Sequence, residues 1–295
     1  MPLTQVRTFR VRYYECDAHG QVHHANYLRY MQEAAFDASA AAGYDMDRYE
    51  ELGCFWLIRE TDLHVRRPLC YSDTVAITTY VADFRRVRSR RAYEFHLAGS
   101  GEPVAMAHTD WAFLDRETER PAQIPEEMKA AFFPEGAPDL APTRERFPDA
   151  PPPPPGVYRL FRRVKWHDLD QVGHVNNAVY LAYLEDCDVR VTTAHGWPPA
   201  RIEAEGVRLV ARRHLIDYQQ PALLDDELEI ATWLSGGTDE AVRHYTLTRA
   251  SDGALVARAR TLWGAVDAET GAPLPIPGKL WANLAPNHSP HTDKR

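Results

Sequence analysis

The sequence predicts an α+β chain built as two copies of one domain, each a long helix packed on an antiparallel sheet of about five strands. Three observations lead there. Sliding the 295-residue chain by 153 positions lays residues 9–44 over 162–197 without a gap, with eleven of 36 positions identical. Within each copy the apolar spacing runs strand-like, then helix-like, then strand-like again. A proline-rich stretch separates the copies, and proline belongs neither in a helix interior nor in a central strand.

Taken in order, residues 6–14 and 158–166 are short β-branched and aromatic runs that read as first strands. A polar, glycine-containing turn follows, then good helix formers over 27–42 and 180–194. Tyr27, Tyr30, Met31, Ala34, Ala35 and Ala38 keep helical spacing, so one face is buried, and the alanine-rich end predicts close packing. Four strand-like runs complete the first copy, near 55–65, 74–83, 90–98 and 104–114, with turns such as Ser100-Gly101 and its counterpart Asp252-Gly253. The 153-residue offset also pairs Arg59 with Arg212, Pro68 with Pro221 and Asp73 with Asp226, and an offset of 152 pairs Trp111 with Trp263. The expected organisation is a first domain at 1–133, a linker at 134–156 containing Pro134, Pro138, Pro142, Pro148 and five prolines at 151–155, a second domain at 157–282 and a polar tail at 283–295, with disorder expected from Asn287 to Arg295. The proline run predicts a stiff extended strap. A proline-rich ligand for another protein's aromatic groove is the lesser alternative.

The formal charge of −8 argues against a phosphate backbone as partner, so no nucleic acid is expected. No apolar run is long enough to span a bilayer, and the opening residues MPLTQVRTFRVRYYECD lack the apolar core of a signal peptide, which predicts no membrane and a cytoplasmic location. Cys16, Cys54, Cys70 and Cys187 show no CxxC spacing and are expected to be scattered buried thiols. His19, His23 and His24 cluster in the first copy, but the second keeps none of them in register, so no metal and no cofactor are expected. No GxSxG suggests a serine nucleophile.

The chemistry-bearing segment is the turn before each long helix. Asp17 and Asp170 sit just ahead of the helix starts, each followed three residues later by glycine, Gly20 and Gly173. A carboxylate can attack a carbonyl carbon or activate water, and backbone N–H groups at a helix N-terminus can stabilise charge on the carbonyl oxygen. Glycine permits close approach of main chain to substrate. Capping of the following helix is the alternative role for each Asp. Repetition in matched context favours chemistry.

Residues 13–27, Tyr-Tyr-Glu-Cys-Asp-Ala-His-Gly-Gln-Val-His-His-Ala-Asn-Tyr, resemble the signature of hotdog-fold thioesterases of the hydroxybenzoyl-CoA thioesterase type. Residues 166–180, Trp-His-Asp-Leu-Asp-Gln-Val-Gly-His-Val-Asn-Asn-Ala-Val-Tyr, resemble the same signature in the GHVNN form of bacterial acyl-CoA thioesterases and the catalytic half of plant acyl-ACP thioesterases. The resemblance covers nearly all of both halves, leaving out the linker and the residues after Trp281. It implies a double hotdog in which the copies pair as an intrachain pseudo-dimer, allows a homodimer of double hotdogs, and implies hydrolysis of acyl-CoA or acyl carrier protein thioesters. It assigns the working carboxylate to Asp17 and Asp170. His24, with Tyr14 upstream, matches the histidine of the Tol-Pal-associated acyl-CoA thioesterases. Asn177 takes the slot of His24 in the second copy, His174 matches the histidine of the acyl-ACP motif, and Val172 stands where that motif has asparagine. A helical carboxylate recurs at Glu185, where the first copy has Gln32. Both sites are expected to turn over, with Asp170 slightly favoured. Gly20, Gly173, Val22, Val175, Tyr27 and Tyr180, repeated around the turn and helix start, are the candidate substrate contacts.

Arg85, Arg86, Arg88, Arg90 and Arg91 place five cations in seven residues of the first copy only. Arg88 and Arg90 are candidate contacts for the phosphates of coenzyme A or the acidic surface of a carrier protein. A charge-protected strand edge is the alternative. Two other functions stand as runners-up. An enoyl-thioester hydratase pattern separates Asp and His by four residues, whereas Asp170 and His174 are separated by three. A non-catalytic acyl-thioester sensor would need a DNA-binding segment, and no basic helix-turn-helix lies outside the copies.

Overall fold

The computed structural model describes residues 1–136 and 144–289; Pro138 and Pro142 of the expected linker, and tail positions 290–295, lie outside the described residues. Contacts divide the chain into Met1–Arg146 and Phe147–Arg295.

The first unit opens with strand β1 (Thr4–Arg10), a 3-10 turn (Tyr13–Glu15) and helices α1 (His24–Ala41) and α2 (Met46–Glu51). Strands β2 (Cys54–Val65), β3 (Thr74–Phe84), β4 (Arg88–Leu97) and β5 (Pro103–Asp115) and helix α3 (Glu126–Phe132) follow. All its ladders are antiparallel, in the order β1-β3-β4-β5-β2. The second unit repeats this with β6 (Tyr158–Arg163), a 3-10 turn (Trp166–Asp168), α4 (Asn177–Ala194), α5 (Pro199–Ala204), β7 (Val207–Tyr218), β8 (Glu227–Gly236), β9 (Ala241–Arg249) and β10 (Leu255–Asp267), ordered β6-β8-β9-β10-β7. A two-residue β11 (Pro273–Leu274) pairs with β10, and α6 (Gly278–Asn283) closes the unit. The fold class is α+β with antiparallel sheet. No helix among the described residues is long and apolar enough to cross a membrane.

Each long helix lies on its sheet through aromatic contacts. Tyr30 of α1 stacks on Phe9 of β1 at 4.8 Å, and Tyr27 packs against Phe95 of β4 at 5.7 Å. Ala34, Ala35 and Ala38 continue the buried face, as their spacing predicts. The shared Arg59 and Arg212 turn out to be the extra residue of a β-bulge in β2 and β7, which explains their repetition as one local kink in each unit.

Several expectations change. The first strands end early, at Arg10 and Arg163, because the next residues fold into 3-10 turns. Glu15 and Asp168 close these turns by accepting the backbone N–H of Arg12 and Lys165. Of the four cysteines only Cys187 is buried; Cys70 is exposed and Cys16 and Cys54 lie between. The expected polar tail is structured through Ser289, because its polar groups find buried partners. Asn287 is fully buried, donates to the carbonyls of Thr232 and Gly156, and accepts from Arg243 at 3.1 Å. Ser289 donates to Pro152 O at 2.8 Å, while Trp233 donates to Pro151 O at 3.0 Å, so the proline strap is fastened to the second unit.

Candidate active site

The turn between the 3-10 segment and the long helix has the same construction in both units. A bridge joins Cys16 to Val22 in the first and Leu169 to Val175 in the second, with the acid at the start of the enclosed loop. In the first unit, Asp17 Oδ1 accepts the N–H groups of His19 and Gln21 at 2.8 and 3.0 Å. In the second, Asp170 Oδ1 accepts the N–H of Val172 at 3.0 Å, and Oδ2 faces Asn176 Nδ2 at 3.5 Å. The acid therefore organises its own turn and does not cap the helix. One oxygen is held by the main chain, which fixes where the other points.

Gly20 and Gly173 have φ of +76° and +82°, the left-handed region where L side chains are strained. Their N–H groups donate to Asp17 O and Asp170 O within the turn, and a Cβ at either glycine would meet nothing within 4 Å. The positive φ alone is enough to require glycine at both positions. The N–H groups of Val22 and Val175 are likewise taken, by the carbonyls of Leu69 and Ala222. The helix start, whose first N–H groups have no intrahelical partner, lies four residues beyond each glycine, at His24 and Asn177.

Those starts differ. Asn176 caps α4, its Oδ1 accepting the N–H of Ala178 at 3.0 Å, and so links Asp170 to the helix N-terminus. His23, at the same place before α1, gives no side-chain cap. The next residue, His24, packs edge-on against Tyr27 at 5.6 Å. Burial pushes its imidazole down to about 4, against the opposing pull of Asp17, so the ring is neutral at pH 7 and close enough to feel the carboxylate.

The remaining predicted residues are placed as follows. His174 adjoins the acid through its backbone carbonyl, which accepts the N–H of Asp170 at 3.0 Å. Asn177 begins α4, and its carbonyl accepts from the hydroxyl of Tyr218 at 3.2 Å. Glu185 and Gln32 share one helix position, partly buried, about 12 Å along the axis from the helix starts at 1.5 Å per residue. Tyr27 and Tyr180 are buried, and their hydroxyls accept the N–H groups of Leu69 and Ala222, fastening the helix to the loop after β2 or β7. Tyr14 is not gathered with this group; it is 76% exposed, beside Arg12. The basic run is divided by strand alternation and by acids. Arg90 forms a two-pronged pair with Asp110 at 2.7 and 2.8 Å, which removes it as a phosphate handle, and Arg91 is buried. Arg85, Arg86 and Arg88 face outward.

Sequence reasoning missed one repeated pair. Glu15 and Asp168, 4% and 6% exposed, each accept a tyrosine hydroxyl from the long helix, Tyr30 at 2.5 Å and Tyr183 at 2.7 Å. Their backbone carbonyls receive the N–H groups of His23 and Asn176. This acid-tyrosine pair locks the turn to the helix and so positions the acid two residues on. The signal was the same spacing of fifteen residues in both copies.

Residues 2–132 match the family described as acyl-ACP thioesterase N-terminal domain, and residues 164–284 match the thioesterase-like superfamily. The palmitoyl-acyl carrier protein thioesterase, chloroplastic, of Arabidopsis thaliana is 23% identical over 276 residues, covering 87% of this chain and 63% of that protein. A chloroplastic acyl-[acyl-carrier-protein] hydrolase of Cuphea viscosissima is also 23% identical, over 87% of this chain and 62% of its own length, so the chain spans less than two thirds of these relatives. Among solved structures, the 12:0-ACP thioesterase from Umbellularia californica superposes with a TM-score of 0.67 at 22% identity, covering 89% of this chain and 98% of that one. A Lactobacillus plantarum protein provisionally described as an oleoyl thioesterase gives 0.77 at 18% identity over 94% and 98%.

Proposed function

Since residues 2–132 match the acyl-ACP thioesterase N-terminal domain and residues 164–284 match the thioesterase-like superfamily, we propose that the protein is an acyl thioester hydrolase acting on acyl carrier protein thioesters. In this reading it is a double hotdog, supported in each unit by a long helix on five main antiparallel strands. The observation that carries it is the repeated carboxylate, Asp17 and Asp170, oriented by its own turn directly before an 18-residue helix.

The carboxylate acts on the thioester carbon, and the first turn of the helix receives the charge that develops on the carbonyl oxygen. If it attacks directly, an acyl anhydride forms as the C–S bond breaks, the thiolate leaves and takes a proton from water, and a second water cleaves the anhydride. If it acts as a base, it takes the proton of the attacking water and the same two products result. The Asp170 site is the main one in this proposal, because Asn176 ties its carboxylate to the helix terminus. His24, held neutral beside Asp17, equips the first site to act as well.

Thiol release from acyl-ACP by Asp17→Asn, Asp170→Asn and the double variant tests the assignment. A loss of about 100-fold or more is expected for the double variant, with Asp170→Asn the more damaging single change. An unchanged rate in the double variant sinks it. Single turnover in 18O-labelled water separates the two routes, because only the anhydride route can leave label in the enzyme carboxyl group.

A further inference from the structure

The two units differ at one buried position beneath the long helix. In the second, Arg243 of β9 is 3% exposed and held from two sides: its Nε meets Asp188 Oδ1 of α4 at 3.1 Å, and Nη1 donates to Asn287 Oδ1 at 3.1 Å. The Tyr245 hydroxyl donates to the same Asp188 oxygen at 2.6 Å. Arg91 of β4 occupies the same ladder position in the first unit. It lies opposite Val81 and Thr109 as Arg243 lies opposite Leu234 and Thr261, with Tyr93 in the place of Tyr245. The residue in place of Asp188 is Ala35, because α1 and α4 run in register at an offset of 153.

Arg91 is therefore a buried cation, 6% exposed, without the carboxylate its counterpart has. Among the described residues, what it meets is the face of Phe132 at 5.7 Å, and its charge reaches the hydroxyls of Tyr93 and Tyr49. An aromatic face does not replace the hydration that a guanidinium gives up on burial. Among the described residues no side-chain hydrogen bond or ion pair engages the Arg91 guanidinium, whereas Arg243 has both Asp188 and Asn287. The substitution of alanine for aspartate leaves out one carboxylate at this point.

We propose that Arg91 is a specificity residue that receives a carboxylate carried on the acyl group, so that the first unit binds half-thioesters of dicarboxylic acids in preference to plain alkyl thioesters. The ligand carboxylate occupies the space that the Asp188 side chain fills in the second unit, pairing with the guanidinium fork and accepting from Tyr93. Phe132 and Tyr49, the neighbours of the guanidinium, belong to one buried apolar cluster. The proposal rests on the thioesterase reading, and its test is chosen to be independent of turnover.

Binding of free α,ω-diacids of four to ten carbons is measured by calorimetry on the whole protein, against monoacids of equal length. At least one diacid is expected to bind about ten-fold more tightly than its monoacid. Ala35→Asp supplies the missing carboxylate from the helix, so it is expected to raise Tm and bring that ratio close to one; Arg91→Met is expected to abolish the preference as well. A ratio near one across the series in the unaltered protein, a ratio that survives Ala35→Asp, or a lower Tm for Ala35→Asp would each overturn the proposal. A diacid preference without hydrolysis of any thioester would leave it standing and remove the catalytic reading alone.

Discussion

Individual side chains carry pH sensitivity that the overall charge does not disclose. His244 is buried, stacks on Trp233 at 5.7 Å and has Nε2 2.8 Å from Ser235 Oγ. Burial pushes its pKa down to about 4, with the charges of Arg260 and Arg243 acting in the same direction. The unfolded chain, titrating near the ordinary value of 6.5, binds this proton first, so stability is complete above about pH 6.5 and is lost as pH falls towards 4. His24, also near 4, contributes with the same sign. Asp188 opposes them: burial raises its pKa to about 6, so its contribution is present at low pH and lost as pH rises through 6. With these two histidines and His108, which burial also lowers, against one acid, Tm is expected to fall between pH 7 and pH 5. His244→Gln should shrink that fall by on the order of 1–2 kcal/mol, measured by thermal unfolding at the two pH values.

At the scale of elements, the helix termini decide how the acid-bearing turns are held. Asn176→Ala removes the cap of α4 and the contact to Asp170 in one change. A stability loss of about 1 kcal/mol is expected from the cap, together with a fall in kcat that exceeds any change in KM. Elements of this length were legible in the sequence. The alternation of residues 74–83 and 104–114 and the helical spacing of Tyr27, Tyr30, Ala34 and Ala38 mark core faces that tertiary packing preserves. The helix starts were placed three residues late because Asn176 and His23 lie outside the apolar stripe. Helices α2, α5 and α6, six residues each, escaped because they are too short to show a period. In the site, repetition exposed Asp17 and Asp170. It could not reveal that Arg90 is paired with Asp110, because a cross-strand partner depends on register and not on spacing along the chain.

For the chain as a whole, the closing residues belong to the second unit's core. The bonds of Asn287 join Arg243, Thr232 and Gly156, and Ser289 donates its N–H to Leu234 O besides holding Pro152. A chain ending after Leu284 should lose several buried hydrogen bonds and leave Arg243 short of one acceptor. A loss of at least about 3 kcal/mol is expected in denaturant unfolding. No period or motif marks this segment, and its composition alone resembles a solvated tail.

The turns that hold Asp17 and Asp170 have a consequence for how such a chain could be recombined. Each is closed by its own bridge, oriented by hydrogen bonds that mostly begin and end within it, and followed by a helix starting at the same register. The segment behaves as an interchangeable cassette. Exchanging residues 16–24 with 169–177 would carry the acid and its helix-start partner into the other unit intact, so each unit's chemistry could be altered without redrawing its sheet.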